Sequence, residues 1–176
     1  MRMNLKAATE PWWIERGSEA QAPSALEILR DAAQWLVELG RPLWRVESFR
    51  LEVLEAAARA GELVIGSEAG GAASCMLLQT RDDFYWPDDP PGEALYLHKL
   101  AVRRSSAGRN WSGRLIQWAG TQAYAAGAQY LRLDTADRPE LLSLYQRNGF
   151  YVVDQQPRSV EGVLVYRLQS SVISRA

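Results

Sequence analysis

His98 is the only histidine in the chain, and it stands at the head of a stretch in which opposite charges are sorted rather than mixed. From residue 94 to residue 133 there is no acid, while Lys99, Arg103, Arg104, Arg109, Arg114 and Arg132 all fall there. Immediately upstream, RDDFYWPDDPPGE (81–93) gathers Asp82, Asp83, Asp88, Asp89 and Glu93 around three aromatic rings. Charge runs are commonly solvated faces, but adjoining blocks of opposite sign suit a site that holds an anion on one side and a cation on the other. The imidazole, whose ordinary pKa lies near neutrality, suits proton transfer. The segment AGRNWSG (107–113) adds a second kind of chemistry. Ala107, Gly108, Asn110, Ser112 and Gly113 are small or tolerate unusual backbone angles, and Asn visits the left-handed region readily. Where such a segment opens a helix, the unpaired N–H groups and partial positive charge of the first turn can cradle an anion. Arginines can add bidentate contacts to phosphate oxygens. The plainer reading of the same segment is a tight turn with a helix cap.

These residues need elements to position them. MNLKAA (3–8) reads as a first strand and TEPWWIERGSEAQAP (9–23), rich in breakers, as a loop. Ser24, with Glu27 at the capping-box position, opens a helix whose apolar stripe is Leu26, Leu29, Ala33, Leu36 and Val37; Gly40 and Pro42 stop it. VESFRLEVLEAAARAG (46–61) reads as a second helix and ELVIGSEAGGAASCMLLQT (62–80) as a hairpin. ALYLHKLAV (94–102) is a strand. A helix from Asn110 onwards carries Trp111, Leu115, Trp118, Ala119 and Ala123 on one face. QYLRLDT (129–135) is a strand, and RPELLSLYQRNGF (138–150) is a helix with Pro139 in its first turn and Gly149 past its end. YVVDQQ (151–156) and GVLVYRLQ (162–169) are the last strands. The order β-α-α-β-β-β-α-β-α-β-β confines parallel geometry to the middle, which makes a mixed-sheet α/β fold rather than a doubly wound one. A dinucleotide fingerprint after the first strand is absent.

Bulk properties narrow the function classes. At 176 residues the chain fits one domain, 1–176, and 47% hydrophobic composition allows a substantial core. A net charge of −1 gives no nucleic-acid footprint. No apolar run approaches the roughly 20 residues of a membrane span, and MRMNLKAATEPWW lacks the apolar stretch of a signal peptide. A cytoplasmic location is the expectation. Cys75 stands alone, which excludes an internal disulfide and a multi-cysteine metal site; no metal is expected.

LHKLAV, AGRNWSGRLI and LYQRNGF occur in an order and spacing that resemble the GNAT superfamily of acyl-coenzyme A-dependent N-acetyltransferases. In that family a strand ending in LAV leads to Gln/Arg-Gly-x-Gly-x-Gly/Ala and a helix, and a later helix ends in LY-x-x-x-GF. The resemblance covers Ala94 to Val153 tightly. It implies a GNAT fold, an α/β architecture of about seven mixed strands flanked by about four helices. It also implies acetyl-coenzyme A as acyl donor and direct attack on it by a small-molecule amine in a ternary complex. Ala107 stands where the family has Arg or Gln, Asn110 replaces a glycine and Ser112 replaces Gly or Ala. None introduces proline, so the amides survive, and Arg104 or Arg109 can replace the lost side-chain donor. Arg138 stands where the family commonly carries an Asn that contacts the pantetheine arm.

The resemblance assigns cofactor binding to Leu100, Ala101, Val102, Arg103, Ala107, Gly108, Arg109, Asn110, Trp111, Ser112, Gly113, Arg138 and Tyr145. Within that set the backbone at Leu100 and Val102 polarises the thioester oxygen. Tyr145 is placed to protonate the leaving thiolate, against the alternative of a core aromatic beside Leu141 and Leu144. Strand alternation puts His98 on one face with Tyr96, Leu100 and Val102, where it is a candidate base. Its alternatives are a packed structural histidine, with Glu93 or an aspartate of the 82–89 loop as the base. Trp12, Trp13, Trp35, Trp44 and Trp86 concentrate outside the cofactor half. Of these, Trp44 and Trp86, with Tyr96, are candidate acceptor-binding residues; together with the acidic loop they suggest a cationic, aromatic or polyamine-like acceptor. A homodimer through C-terminal strands is a further expectation. The altered loop also leaves open a relative that binds acyl-coenzyme A without turnover.

Overall fold

The computed structural model describes residues 11–172; the strand expected at 3–8 lies outside them. Among the described residues, eight strands form one mixed sheet in the order β1-β2-β3-β4-β5-β8-β6, with β7 paired to β8. The strands are β1 (Trp12–Arg16), β2 (Leu63–Glu68), β3 (Gly71–Gln79), β4 (Ala94–Val102), β5 (Tyr130–Ala136), β6 (Tyr151–Val152), β7 (Arg158–Val160) and β8 (Val163–Ser171). The helices are α1 (Ala22–Glu38), α2 (Leu51–Arg59), α3 (Trp111–Ala125) and α4 (Pro139–Arg147). Only β4 and β5 pair in parallel; every other pair is antiparallel. No helix among the described residues is long and apolar enough to cross a membrane.

The sheet separates two cores. On one face Leu115, Ile116 and Ala119 of α3 and Tyr145 of α4 pack against Val64, Met76, Leu95, Leu97, Leu131 and Leu133. On the other, Ala25, Ile28, Leu29 and Ala33 of α1 and Leu54 and Ala57 of α2 cover Leu63, Ile65, Cys75 and Leu77. Gly66 has to be glycine for this packing, because a Cβ there would lie 2.5 Å from the buried indole of Trp111.

Three sequence expectations change. Trp12–Arg16, read as loop, is an edge strand paired with β2. Its residues are mostly exposed, so it shows no alternation, and Pro11 and Gly17 only flank it. The helix entry lies at Ser18 rather than Ser24: Ser18 N–H donates to Gln21 Oε1 at 2.9 Å, a 3-10 turn follows, and Pro23 fits the first turn of α1. The helix rotates accordingly, burying an alanine-rich face that lets it sit close to the sheet, and Val37 is 44% exposed. The second helix opens at Leu51, not Val46; residues 46–48 form a separate 3-10 turn, and Phe49 and Arg50 are extended. Residues 39–50 therefore make a long connection over the α1/α2 face. The short strand β7 was not visible in the sequence.

Candidate active site at the splayed strands

β4 spans the residues expected for it, and its local geometry makes the site. Along β3, Leu77 pairs with His98 but Cys75 pairs with Ala101, so Lys99 and Leu100 both stand opposite Met76. This is a β-bulge, and Lys99 takes φ +53° to form it. The bulge reverses the alternation. Leu95, Leu97 and Leu100 all belong to the α3/α4 core, whereas Ala101 belongs to the α1/α2 core. His98 therefore shares a face with Tyr96 but not with Leu100 or Val102, which corrects the alternation read from the sequence. The parallel ladder also stops here. β4 and β5 pair only from Ala94↔Tyr130 to Leu97↔Leu133, while β5 continues to Ala136 along β8. Beyond Leu97 the strands part, and β4 backbone groups that face β5 have no strand partner.

On the α3/α4 side of this opening lies the small-residue loop. A 3-10 turn spans Arg104–Ser106, Gly108 has φ +78° and Asn110 is left-handed at φ +58°, ψ +30°. That region admits Gly and Asn with least strain, so Asn110 in place of glycine leaves the loop path intact. α3 then starts at Trp111, whose indole is buried, leaving its first-turn N–H as what it can offer a ligand. A groove of about 810 Å³ starts at Asn110 and Gly113 and runs past Gln117 and Thr121 of α3 to Arg147 and Phe150.

The arginines are more engaged than expected. Arg103 ion-pairs with Glu27 and donates from Nε to the Ala72 carbonyl; Arg104 pairs with Glu38 at 2.7 Å. Both are drawn toward α1, so Arg104 does not stand in for the family's loop side chain. Arg109 meets Glu68 at 2.9 Å, and Ser106 Oγ donates to the same carboxylate at 2.8 Å. The hydroxyl bond and Arg109 outweigh desolvation and hold the Glu68 carboxyl below its usual range. Glu68 was not singled out from sequence. Arg138 donates to the carbonyls of Arg41 (2.9 Å) and Pro42, tying the start of α4 to the α1–α2 connection.

On the other face, His98 lies between two carboxylates. Its Nε2 is 3.4 Å from Asp82 Oδ2 and its Nδ1 is 3.3 Å from Asp134 Oδ1. Asp82 is locked by the Phe84 and Tyr85 amides, which donate to its Oδ1 at 3.1 and 2.9 Å. Its Oδ2 is fully buried, and the long contact to His98 is an ion pair rather than a good hydrogen bond. Burial alone would lower the histidine pKa, but the contacts with the charged Asp134 and Asp82 prevail and raise it to about 9. At neutral pH the ring is thus an imidazolium. Because the carboxylates address opposite edges of the ring, the trio suits proton sharing better than chelation of one cation. Burial, with the charges of Asp134 and Asp82, pushes the nearby Tyr85 phenol up to about 12. Asp134 also sits within electrostatic range of Tyr145. That phenol, raised mainly by burial, packs edge-on against Phe150 at 5.7 Å.

Glu93, Trp86 and Tyr96 are gathered elsewhere. Arg132 binds Asp89 at 2.5 Å and Glu93 at 2.6 Å, and Tyr96 Oη donates to Asp89. The Trp86 ring lies between Arg132 and Arg167, at 4.5 and 4.7 Å. This cluster occupies the paired end of β4, where Glu93 is about 16 Å of strand from His98. Glu93, 26% accessible, is paired with Arg132 and far from the opening, which does not suit a base there, and Trp86 and Tyr96 are too buried to contact an acceptor. Trp44 does lie at the opening: it meets Phe49 edge-on at 5.7 Å, with Lys99 Nζ 5.9 Å from its ring. Asp134 and Lys99 were legible as residue types but not in their contacts, since Asp134 reaches His98 through the β4/β5 register and Lys99 turns with the bulge, and neither has a sequence signature.

No protein-family model matches the chain. The uncharacterized N-acetyltransferase YesJ of Bacillus subtilis (strain 168) is 32% identical over 136 residues, which cover 73% of this chain and 76% of that one. A GNAT-family acetyltransferase of Listeria monocytogenes superposes with a TM-score of 0.75 at 22% identity, covering 93% and 98% of the two chains. The acetyltransferase yncA of Salmonella typhimurium, solved with acetyl-coenzyme A, gives 0.71 at 14% identity, covering 94% and 96%. With a relative at this identity and coverage and the fold shared with solved GNAT-family acetyltransferases, the chain belongs to the GNAT family of N-acetyltransferases.

Proposed function

We propose that the chain transfers the acetyl group of acetyl-coenzyme A to a primary amine of a small acceptor by direct attack in a ternary complex. The observation that carries this reading is the bulged, splayed end of β4, with the α3 first turn on one face and the Asp82–His98–Asp134 array on the other. The amides from Gly108 to Gly113 would hold the pyrophosphate, and the α3 groove offers room for the rest of the nucleotide. The unpaired β4 backbone beyond Leu97 would polarise the thioester carbonyl.

The acceptor's ammonium docks against Asp134, displacing the imidazolium from that carboxylate. A second cation beside His98 lowers its proton affinity, the imidazolium gives its proton to solvent, and the neutral ring takes one from the acceptor's ammonium. The free amine attacks the carbonyl carbon, the C–N bond forms and the C–S bond breaks. Tyr145, whose phenol stays protonated at neutral pH, would give a proton to the departing thiolate and be reprotonated, through solvent, by the second proton that the acylated nitrogen sheds.

Binding and turnover are tested together. Acetyl-coenzyme A at millimolar concentration raises the melting temperature by mass action, and an amine panel triggers thiol release. Absence of any thermal shift would overturn the reading. A shift without turnover on any amine would instead favour an acyl-coenzyme A-binding relative that does no chemistry.

A further inference from the structure

The charges around the acceptor side are not distributed as the sequence suggests. Most of the acidic segment 81–93 is paired, largely through the fold: Asp83 with Arg81, Asp82 with His98, and Asp89 and Glu93 with Arg132, while Asp88 is exposed. Beside His98, Asp134 keeps 20% of its side chain accessible and can meet an ammonium, whereas Asp82 has one oxygen taken by two amides and the other buried. The wall made by the α1–α2 connection is rich in arginine, although Arg41 pairs with Glu140 and Arg50 with Glu52. The connection RPLWRVESFR (41–50) carries three arginines against one glutamate. Arg30 reaches the same wall, donating to the Phe49 carbonyl at 3.2 Å.

At the centre is Lys99. The bulge turns its side chain onto the α1/α2 side, where Nζ lies 5.9 Å from the Trp44 ring and 5.8 Å from the Phe49 ring. Among the described residues no carboxylate lies within 4.0 Å of it. The two rings fix the ammonium without using its N–H donors, and Lys99 follows His98 directly. The Lys99 backbone therefore follows, at about 3.8 Å between Cα atoms, that of the histidine whose ring contacts Asp134.

We propose that the acceptor is a small zwitterion of the amino-acid type. Its ammonium faces Asp134 and His98, and its carboxylate is bound by Lys99 against Trp44 and Phe49. This rests on the acetyltransferase reading and narrows it, replacing the polyamine-like acceptor suggested by the acidic segment.

The test measures thiol release by the full chain at saturating acetyl-coenzyme A. It compares the common L-amino acids with their carboxamides, which keep the ammonium and lose the carboxylate. Rates are corrected for the fraction of free amine. The best acid is expected to exceed its amide in kcat/KM by about tenfold or more, as befits a charge-assisted contact. Lys99→Gln brings that ratio toward one through KM for the acid, and Lys99→Arg restores most of it. Amides or diamines that match or exceed the acids would overturn the proposal, as would an unaltered ratio in Lys99→Gln with folding verified by circular dichroism. Turnover of neither acids nor amides also overturns it. In that case the thermal shift with acetyl-coenzyme A, and turnover of other amines, separately decide whether the acetyltransferase reading stands.

Discussion

Two charged clusters share one face of the sheet, a few residues apart along β4, and differ in what closes over them. At the paired end Arg132 is 7% exposed, bound by two carboxylates and stacked on Trp86, with the Arg167–Asp154 pair on the far side of that ring. At the splayed end His98 also has two carboxylates, but the strands have parted, and Asp134 keeps 20% of its side chain accessible. The residue types are nearly the same. Strand pairing and the stacked rings enclose the cation of the first cluster, although Glu93 keeps 26% of its side chain accessible, while His98 stands where the strands have parted. A cation locked by two carboxylates and two rings contributes chiefly to stability, whereas one at an opening can exchange a partner for a substrate.

The largest expected effect breaks the open array. His98→Gln keeps a polar side chain between Asp82 and Asp134 but removes the titrating ring. It should lower kcat by about 100- to 10,000-fold, the usual range for losing a general base. Thermal shift by acetyl-coenzyme A should persist, since the cofactor loop lies across the sheet. Retention of wild-type kcat would show that His98 is only structural and shift the role to Asp134.

The sealed array should respond in the opposite way. Arg132→Met leaves the carboxylates of Asp89 and Glu93 partly buried without their cation. Removing one partner of such a pair costs about 3–5 kcal/mol, or roughly 10 °C in melting temperature for a chain of this size. Activity of the fraction that remains folded should stay within a small factor of wild type. If kcat falls as far as it does in His98→Gln, the two clusters are not separable and the comparison fails.

Legibility in the sequence followed the same divide. Strand β4, the helix α3 and the LYQRNGF helix end were all readable, because period-2 and period-3.6 patterns are local and the three segments keep family spacing. The loop around Asn110 was readable for the same reason: left-handed geometry is a property of one residue. What could not be read was any contact that depends on register. A single extra residue at Lys99/Leu100 reversed the faces of β4, and nothing in HKLAV announces a bulge. The acidic segment misled because its composition is visible and its partners are not. Arg132, 39 residues after Glu93, neutralises it through the fold. Edge strand β1 escaped because neither of its faces is buried.

The open array also carries a pH signature that the sealed one lacks. The folded pKa of His98, about 9, is above its ordinary value of 6.5. The ion pairs therefore stabilise the fold fully below pH 6.5, and that contribution fades as pH rises through 9. The upper bound is about 3 kcal/mol. Urea unfolding at pH 6.5 and pH 9.5 should show this loss in the native chain and a flatter profile in His98→Gln. Equal profiles in both would mean that the two aspartates do not bind the ring as an imidazolium.

The smallest effect concerns the loop across the sheet, where the question is whether geometry or glycine itself matters. Asn110 holds φ +58°, and its side chain lies over Gly113, where a Cβ would come within 2.5 Å of Asn110 Oδ1. Asn110→Gly keeps the left-handed region open and should change KM for acetyl-coenzyme A by no more than about twofold. Asn110→Val cannot hold that conformation without about 1–2 kcal/mol of strain. The chain should then rotate the first α3 amides out of alignment and raise the same KM about tenfold. A large gain in affinity for Asn110→Gly would mean that the side chain of Asn110, rather than the path of its backbone, limits how this loop receives the cofactor.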